Sequence, residues 1–415
     1  MRSTLCGWTL LLAAWTIACS SGPPPPGSFY GAPDEGIAGP GRLIRSEEMK
    51  GSPPGSSAWK ILYTSIGLDG RLIEVSGVVI APDLPPPTAG RHVVAWAHPT
   101  TGVGDRCAPS AFPEFFETIP HLTALMALDY VVVATDYPGL GTAGPHPYLV
   151  GLSEGRAVLD SVRAARNLPK AGAGKRFAAW GYSQGGHAVL FAGQLAREYA
   201  ADLTLAGVAA IAPPTDLAVL LRDDLAERAG RVLGAYAMWS WSQSEVYGAP
   251  LEPFIAAGRI PAIDRIARDC IETEGEAYRA AFESLPLPEN FVAVDAFSEE
   301  PWKNLLEQNR PGGAPIGAPI FIAQGSADPV VRPSVTASFV DGLCARGETV
   351  HLNVLEDAGH MRAARISATD AIQWMRDRFD GVRAPSSCPS RALARSLPWR
   401  APPPSVTSGD FARRE

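Results

Sequence analysis

The sequence predicts an α/β fold, a mostly parallel central sheet flanked by helices and carrying an inserted helical cap. Three observations predict it. Apolar runs of strand length alternate with helical stretches from about residue 92 onward, the pattern of strand–helix–strand units. The run Tyr130–Thr135 (YVVVAT) is apolar almost throughout, as a strand covered on both faces must be. Between about Thr215 and Pro315 the alternation stops. There the chain turns helical and aromatic, with AYAMWSWSQSEVYG followed by Phe254, Tyr278, Phe282, Phe291 and Trp302. Such a stretch reads as a cap over the strand ends, the alternative being extra core helices behind the sheet.

The elements follow in chain order. Residues 1–18 combine one Arg with a short apolar run and read as a secretory signal peptide. A small residue before Cys19 resembles a lipobox, so the expected signal is of the lipoprotein type, with Cys19 lipidated; cleavage near Ala18 or Ser20 without lipid is the rival reading. Residues 19–56 are rich in Pro, Gly and Ser and read as a linker. The folded domain is expected over 57–383, with the cap at about 215–315. Within it, Ser57–Ala81 reads as paired strands turning at Asp69-Gly70. Strands are expected at His92–Ala97, Tyr130–Thr135, Arg176–Trp180, Leu205–Ile211, Ile320–Gln324 and Val350–Leu355. Helices are expected at Ser153–Asn167 with Ser153 as N-cap, at Gly185–Tyr199, and at Thr369–Phe379. Residues 384–415 return to a Pro/Ser/Arg composition and read as a disordered tail, except where Cys388 ties it down.

Composition narrows the function. Lys+Arg number 36 against 43 Asp+Glu, a formal charge of −7 without a basic stripe, so nucleic acid is not an expected partner. Past the signal, no stretch is apolar and long enough to span a membrane. Membrane contact is expected only through the lipid on Cys19, in the bacterial cell envelope, the unlipidated form being extracellular. Setting aside Cys6 and Cys19 leaves Cys107, Cys270, Cys344 and Cys388, enough for two disulfides in an oxidising compartment, with spacing unable to choose among the pairings. No Cys or His spacing suits a metal. Gly172-Ala173-Gly174-Lys175 lacks the spacing and the Ser/Thr of a phosphate loop. No cofactor is implied.

The chemistry centres on Gly181-Tyr182-Ser183-Gln184-Gly185. An apolar strand leads in and a helix leads out, which is the setting of a nucleophile elbow. Only glycines two residues either side of Ser183 let so tight a turn form. A serine hydroxyl needs a base. Of the seven histidines, His360 directly follows the last strand, in Glu356-Asp357-Ala358-Gly359-His360, where the elbow also opens. The others read otherwise: His92 near the surface, His121 capping a helix or on the surface, His146 in a loop lining the site, His187 as packing, and His351 within a strand. Asp328 lies 145 residues after Ser183 and 32 before His360, at a strand end, which gives the order Ser–acid–His of α/β-hydrolases. Asp357 and Asp216 are weaker rivals. The oxyanion hole needs two donors. The N–H of Gln184 is one. The other comes from the loop His98-Pro99-Thr100-Thr101-Gly102, and since Pro99 has no N–H, it is Thr100 (or Thr101).

Several strings, HPTTGVGDRCAPS, DYPGLGTAGPHPYLVGLSEGRAVLDSVRAAR, WGYSQGGHAVLFAGQ, GSADPVV and LCARGETV…DAGH, resemble the secretory lipase family from about Trp59 to Asp380. The resemblance implies an α/β-hydrolase fold with a helical cap and a triad at Ser183, Asp328 and His360. It also implies hydrolysis of acyl esters, including triacylglycerols, and the bridges Cys107–Cys270 and Cys344–Cys388. Pro99 stands where that family usually has Gly. The cap aromatics would supply an apolar acyl pocket, although most are expected to form the cap's own core. The rival functions are a secreted serine peptidase on the same fold and a lipid-binding lipoprotein without turnover.

Overall fold

The computed structural model describes residues 29–31, 39–224, 228–255, 258–271, 292 and 296–389. The signal segment, Cys19, residues 390–415 and the aromatics Tyr278, Phe282 and Phe291 lie outside these residues. A nine-stranded sheet runs β1 (Leu43–Met49), β2 (Ser56–Ile66), β3 (Leu72–Pro82), β5 (Val131–Thr135), β4 (Arg91–Ala97), β6 (Ala173–Tyr182), β7 (Thr204–Ile211), β8 (Ile320–Gly325), β9 (Val350–Leu355). The first three strands are antiparallel, β3 meets β5 antiparallel, and the rest are parallel.

The period-2 pattern of the strands explains why both faces are covered. Val93, Ala95, Phe177 and Ala179 point to one face, against α2 (Gly151–Arg166) and α3 (Gln184–Tyr199). Val94, Trp96, Ala178 and Trp180 point to the other, against α1 (Leu122–Ala127) and the last helix. Trp96 and Trp180 meet edge-on at 4.7 Å on that face. Each fully buried Val or Phe among them contributes about 1.5–3 kcal/mol.

The N-terminal linker was expected to reach residue 56, but Leu43–Met49 is a strand paired with β2. Its charges, Arg45, Glu47 and Glu48, suit an edge strand half-facing water, and they erase the apolar alternation that would have marked it. Upstream, Tyr30 is docked on the body. Its hydroxyl bonds Ser110 Oγ at 2.9 Å, and Lys60 Nζ lies 5.0 Å from its ring centre. At the other end, Ser387 N donates to Val350 O at 2.7 Å and Cys388 is bonded to Cys344, so residues just past 384 lie along the outer edge of β9.

Between β7 and β8 the chain forms α4 (Leu217–Asp224), α5 (Arg228–Ser242), α6 (Ile260–Ile266) and α7 (Trp302–Gln308). They enclose a cluster of their own, in which Trp241 stacks on Trp302. Several links tie it to the body, a disulfide and an indole among them. Cys107 is bonded to Cys270, and Trp241 Nε1 donates to Tyr148 O at 2.8 Å.

Helix boundaries differ from expectation at two places. Ser153 was expected to cap α2, but the helix starts at Gly151 and Ser153 is buried in its first turn. The Gly151 N–H donates instead to Asn309 Oδ1, 158 residues away, at 3.0 Å. The last helix was expected from Thr369, but α9 runs His360–Phe379. Apart from His360, its first half buries only small side chains, Ala363, Ala364, Ser367 and Ala368, so its periodicity is faint in sequence. A further helix, α8 (Pro333–Ala345), sits between β8 and β9 and was not expected.

The Cys344–Cys388 bridge closes a loop of 44 residues in sequence separation. Replacing both cysteines with serine is expected to lower stability by about 2–4 kcal/mol through the freed unfolded chain. Urea unfolding of the two proteins measures this, and equal midpoints would show that the bridge is dispensable.

Candidate active site

Ser183 sits at the turn between β6 and α3 with φ 55° and ψ −119°, a conformation that costs a non-glycine residue about 1–3 kcal/mol. The packing around it leaves no relaxed alternative. A Cβ on Gly185 would lie 1.9 Å from Ala97 O, and one on Gly181 would lie 2.1 Å from Gly185 O. Ser183 N donates to Ile211 O at 2.9 Å, which locks the turn onto β7. The hydroxyl is thereby held at the C-terminal edge of the sheet, at the N-terminus of α3, where the helix field favours negative charge.

Three expected residues meet there. His360 Nε2 lies 2.9 Å from Ser183 Oγ, and His360 Nδ1 lies 2.8 Å from Asp328 Oδ2. All three are buried. His360 is the first residue of α9, so its ring is set by helix and loop together, and Tyr182 Oη donates to its carbonyl at 2.8 Å. Asp328 Oδ1 accepts from the N–H groups of Val330 and Val331 at 2.9 and 2.8 Å. Burial works against ionisation of Asp328, but the charge and hydrogen bond of His360 and these two N–H groups outweigh it and hold the carboxyl below its ordinary 3.8. With Asp328 accepting at Nδ1, the proton sits there and Nε2 is free to accept one from Ser183.

The rivals lie elsewhere. Asp357 is exposed, and its N–H donates to Ser326 Oγ. Asp216 pairs with Arg310 at 3.1 Å. His121 is exposed and caps nothing with its ring. His92 stacks on Phe379. His98 is buried between Pro99 O and Asp136 O, and burial pushes its imidazole down to about 4. His146 does not line the cleft. It is buried behind Gln184, and burial pushes it down to about 3. His187 is more than packing: its ring nitrogens lie 3.0 Å from Glu154 Oε2 and 2.8 Å from Asn309 O.

Around the serine, the N–H groups of Gln184 and Thr100 have no acceptor among the described residues. Thr100 Oγ1 bonds Tyr148 Oη at 2.9 Å, a contact between two loops that spacing could not reveal. Thr101 O instead takes the Ile271 N–H from the cap. Above lies a narrow cleft with a cavity volume of about 40 Å³. Its apolar walls are Pro214, Leu217, Leu220, Leu221, Leu233 and Val331, with Tyr148, Ser183 and Gln184 at its floor. Among the described residues the cap's share of this apolar wall is aliphatic. Trp241, Trp302 and Phe254 pack into the cap's own core. Among the described residues no group of acidic, His or Cys side chains could hold a metal.

Residues 117–387 match the secretory lipase family. The chain belongs to the secretory lipase family. Lipase A of Moesziomyces aphidis is 24% identical over 94% of this chain and 90% of its own. The secreted triacylglycerol lipase LIP4 of Malassezia globosa is 27% identical over 80% of this chain and 74% of its own. The X-ray structure of Candida antarctica lipase A superposes with a TM-score of 0.72 at 17% identity, covering 85% of this chain and 84% of that one. At that identity the likeness shows an α/β-hydrolase fold. This secretory lipase is a carboxylic-ester hydrolase acting on acyl-ester or lipid substrates.

The lowered Asp328 carboxyl makes a pH prediction. Its ionised form stabilises the fold above about pH 4, and that contribution fades as pH falls through the still lower folded value. The stability advantage of the wild type over Asp328→Asn should therefore shrink between pH 6 and pH 3. Urea midpoints across that range test it, and an advantage that grows toward acid would contradict it.

Proposed function

We propose that this secretory lipase cleaves aliphatic acyl esters, triacylglycerols among them, through an acyl-enzyme on Ser183. The observation that carries the reading is the buried hydrogen-bonded chain Ser183–His360–Asp328 at the foot of a leucine-walled cleft. Ser183 Oγ attacks the ester carbonyl while His360 Nε2 takes its proton. Asp328 orients the ring and stabilises the imidazolium. The N–H groups of Gln184 and Thr100 receive the oxyanion. His360 then gives its proton to the leaving alcohol, and water, activated by the same ring, releases the acid. The acyl chain lies among Leu217, Leu220, Leu221 and Leu233. The relatives named as lipases, one of them a secreted triacylglycerol lipase, support this substrate class.

Export follows from the signal-like residues 1–18, and a lipid on Cys19 would keep the enzyme at the bacterial envelope. Cys19→Ser should move it from the membrane fraction to the soluble exported fraction. An unchanged partition would overturn the anchor and leave an extracellular enzyme.

The main test is hydrolysis of p-nitrophenyl esters from two to sixteen carbons. Each methylene buried in the cleft contributes about 0.8 kcal/mol, so kcat/KM should climb from two carbons to at least eight. Ser183→Ala should cost at least about 10⁴-fold, and Asp328→Asn about 10³–10⁴-fold in kcat. Full activity in Ser183→Ala would sink the assignment, and a maximum at two carbons would sink the acyl cleft.

A further inference from the structure

Beneath the elbow lies a second polar assembly that the reaction as written does not use. Glu154, in the first turn of α2, is wholly buried. Its Oε1 accepts two hydrogen bonds, from Gln184 Nε2 at 2.7 Å and from Leu149 N at 2.9 Å. Its Oε2 faces His187 Nδ1 at 3.0 Å. The other ring nitrogen faces the carbonyl of Asn309, which can only accept, so His187 donates there through Nε2. One proton is then shared between Nδ1 and the carboxyl, and the buried pair is neutral overall. Gln184 Nε2 spends its second proton on His146 Nε2 at 2.9 Å, and His146 donates through Nδ1 to Pro138 O at 2.8 Å. Burying so many polar groups is costly unless each is matched, and this assembly matches nearly all of them. Gln184 Oε1 is the exception.

The two groups that Glu154 Oε1 holds belong to residues that both line the cleft. Gln184 carries the N–H offered to the oxyanion, and Leu149, at φ 54°, forms part of the lining. We propose that Glu154 is a positioning residue of the reaction, fixing Gln184 and the Leu149 backbone so that the oxyanion donor is aimed before substrate arrives. This rests on the acyl-enzyme reading above. A donor of this kind acts on charge that exists only in the transition state, so its loss should appear in kcat and not in KM.

Glu154→Gln separates geometry from charge. Its amide oxygen can accept from both Leu149 N and Gln184 Nε2, while its NH₂ donates to His187 Nδ1, leaving the ring neutral and still bonded to Asn309. Glu154→Ala strands all three partners. Gln184→Met tests the same link from its other end, keeping the backbone N–H and removing the side-chain bonds.

The experiment is kcat and KM on p-nitrophenyl butyrate, per active serine titrated with a fluorophosphonate. Wild type and Ser183→Ala are run first. Turnover in the wild type lost in Ser183→Ala secures the acyl-enzyme reading, and anything else fails that reading and not the role of Glu154 specifically. Expected then are kcat losses of about 10- to 100-fold in Glu154→Ala and in Gln184→Met, KM within about threefold, and Glu154→Gln within about threefold of wild type. A merely structural role would lower the melting temperature and the titratable fraction while leaving kcat per active serine intact, and that result overturns the proposal. So does a Glu154→Gln protein as slow as Glu154→Ala. If Glu154→Ala does not fold, Gln184→Met with unchanged kcat overturns it alone.

Discussion

The site depends on one close approach, that of the Gly185 backbone to the carbonyl of Ala97 at the end of β4. No side chain fits in that gap. It requires β4 and β6 to be neighbours, which the parallel pairing of Val93 to Ala97 with Phe177 to Gly181 supplies. Once the approach is made, Ser183 is forced into its strained turn and its hydroxyl is lifted clear of the sheet. The same contact brings the loop after β4, with Thr100, beside the helix that begins at Gln184. The large side chains Trp96 and Trp180, packed edge to face on one side of the sheet, help hold the two strands in register. The strain at one residue is thus sustained by packing spread across the sheet.

The remaining pieces arrive from the other half of the sheet. β8 and β9 deliver Asp328 and His360 from consecutive strand ends, so carboxylate and imidazole are aligned by sheet order, with no long-range loop needed. The cap is built differently. It has its own apolar cluster and meets the body at a few specific points: a disulfide, the indole of Trp241, and Asn309 against Gly151 and His187. Apart from that to His187, those contacts converge on residues 146–151 and on the loop after β4, the two segments that also frame the serine. Cap and chemistry therefore share their supports.

How much of this was legible follows from where each signal lives. The strands, the elbow and the order Ser183, Asp328, His360 were readable because each rests on local pattern: apolar runs, glycines at fixed spacing, a residue type just past a strand. β1 was hidden because an edge strand carries charges where a central one carries valines. The start of α2 was misread because its N-terminal partner, Asn309, comes from a distant part of the chain. The role of Glu154 was invisible for the same reason, since Gln184, Leu149 and His187 meet it only in three dimensions. The cap aromatics suggested an apolar pocket with most rings in the cap's own core, and among the described residues the rings do fill the space between helices while leucines face the cleft.

Tyr30 shapes how the molecule would meet its surroundings. Its ring is pinned to the body beside Ser110 and Lys60, so a lipid at Cys19 would be separated from Tyr30 by ten residues. Whatever path they take, they reach at most about 40 Å. If anchored there, the enzyme would sample only a thin shell beside the bilayer. Its encounters would be governed by the density of esters in and next to its own bilayer, and bulk concentration in the medium would count for little.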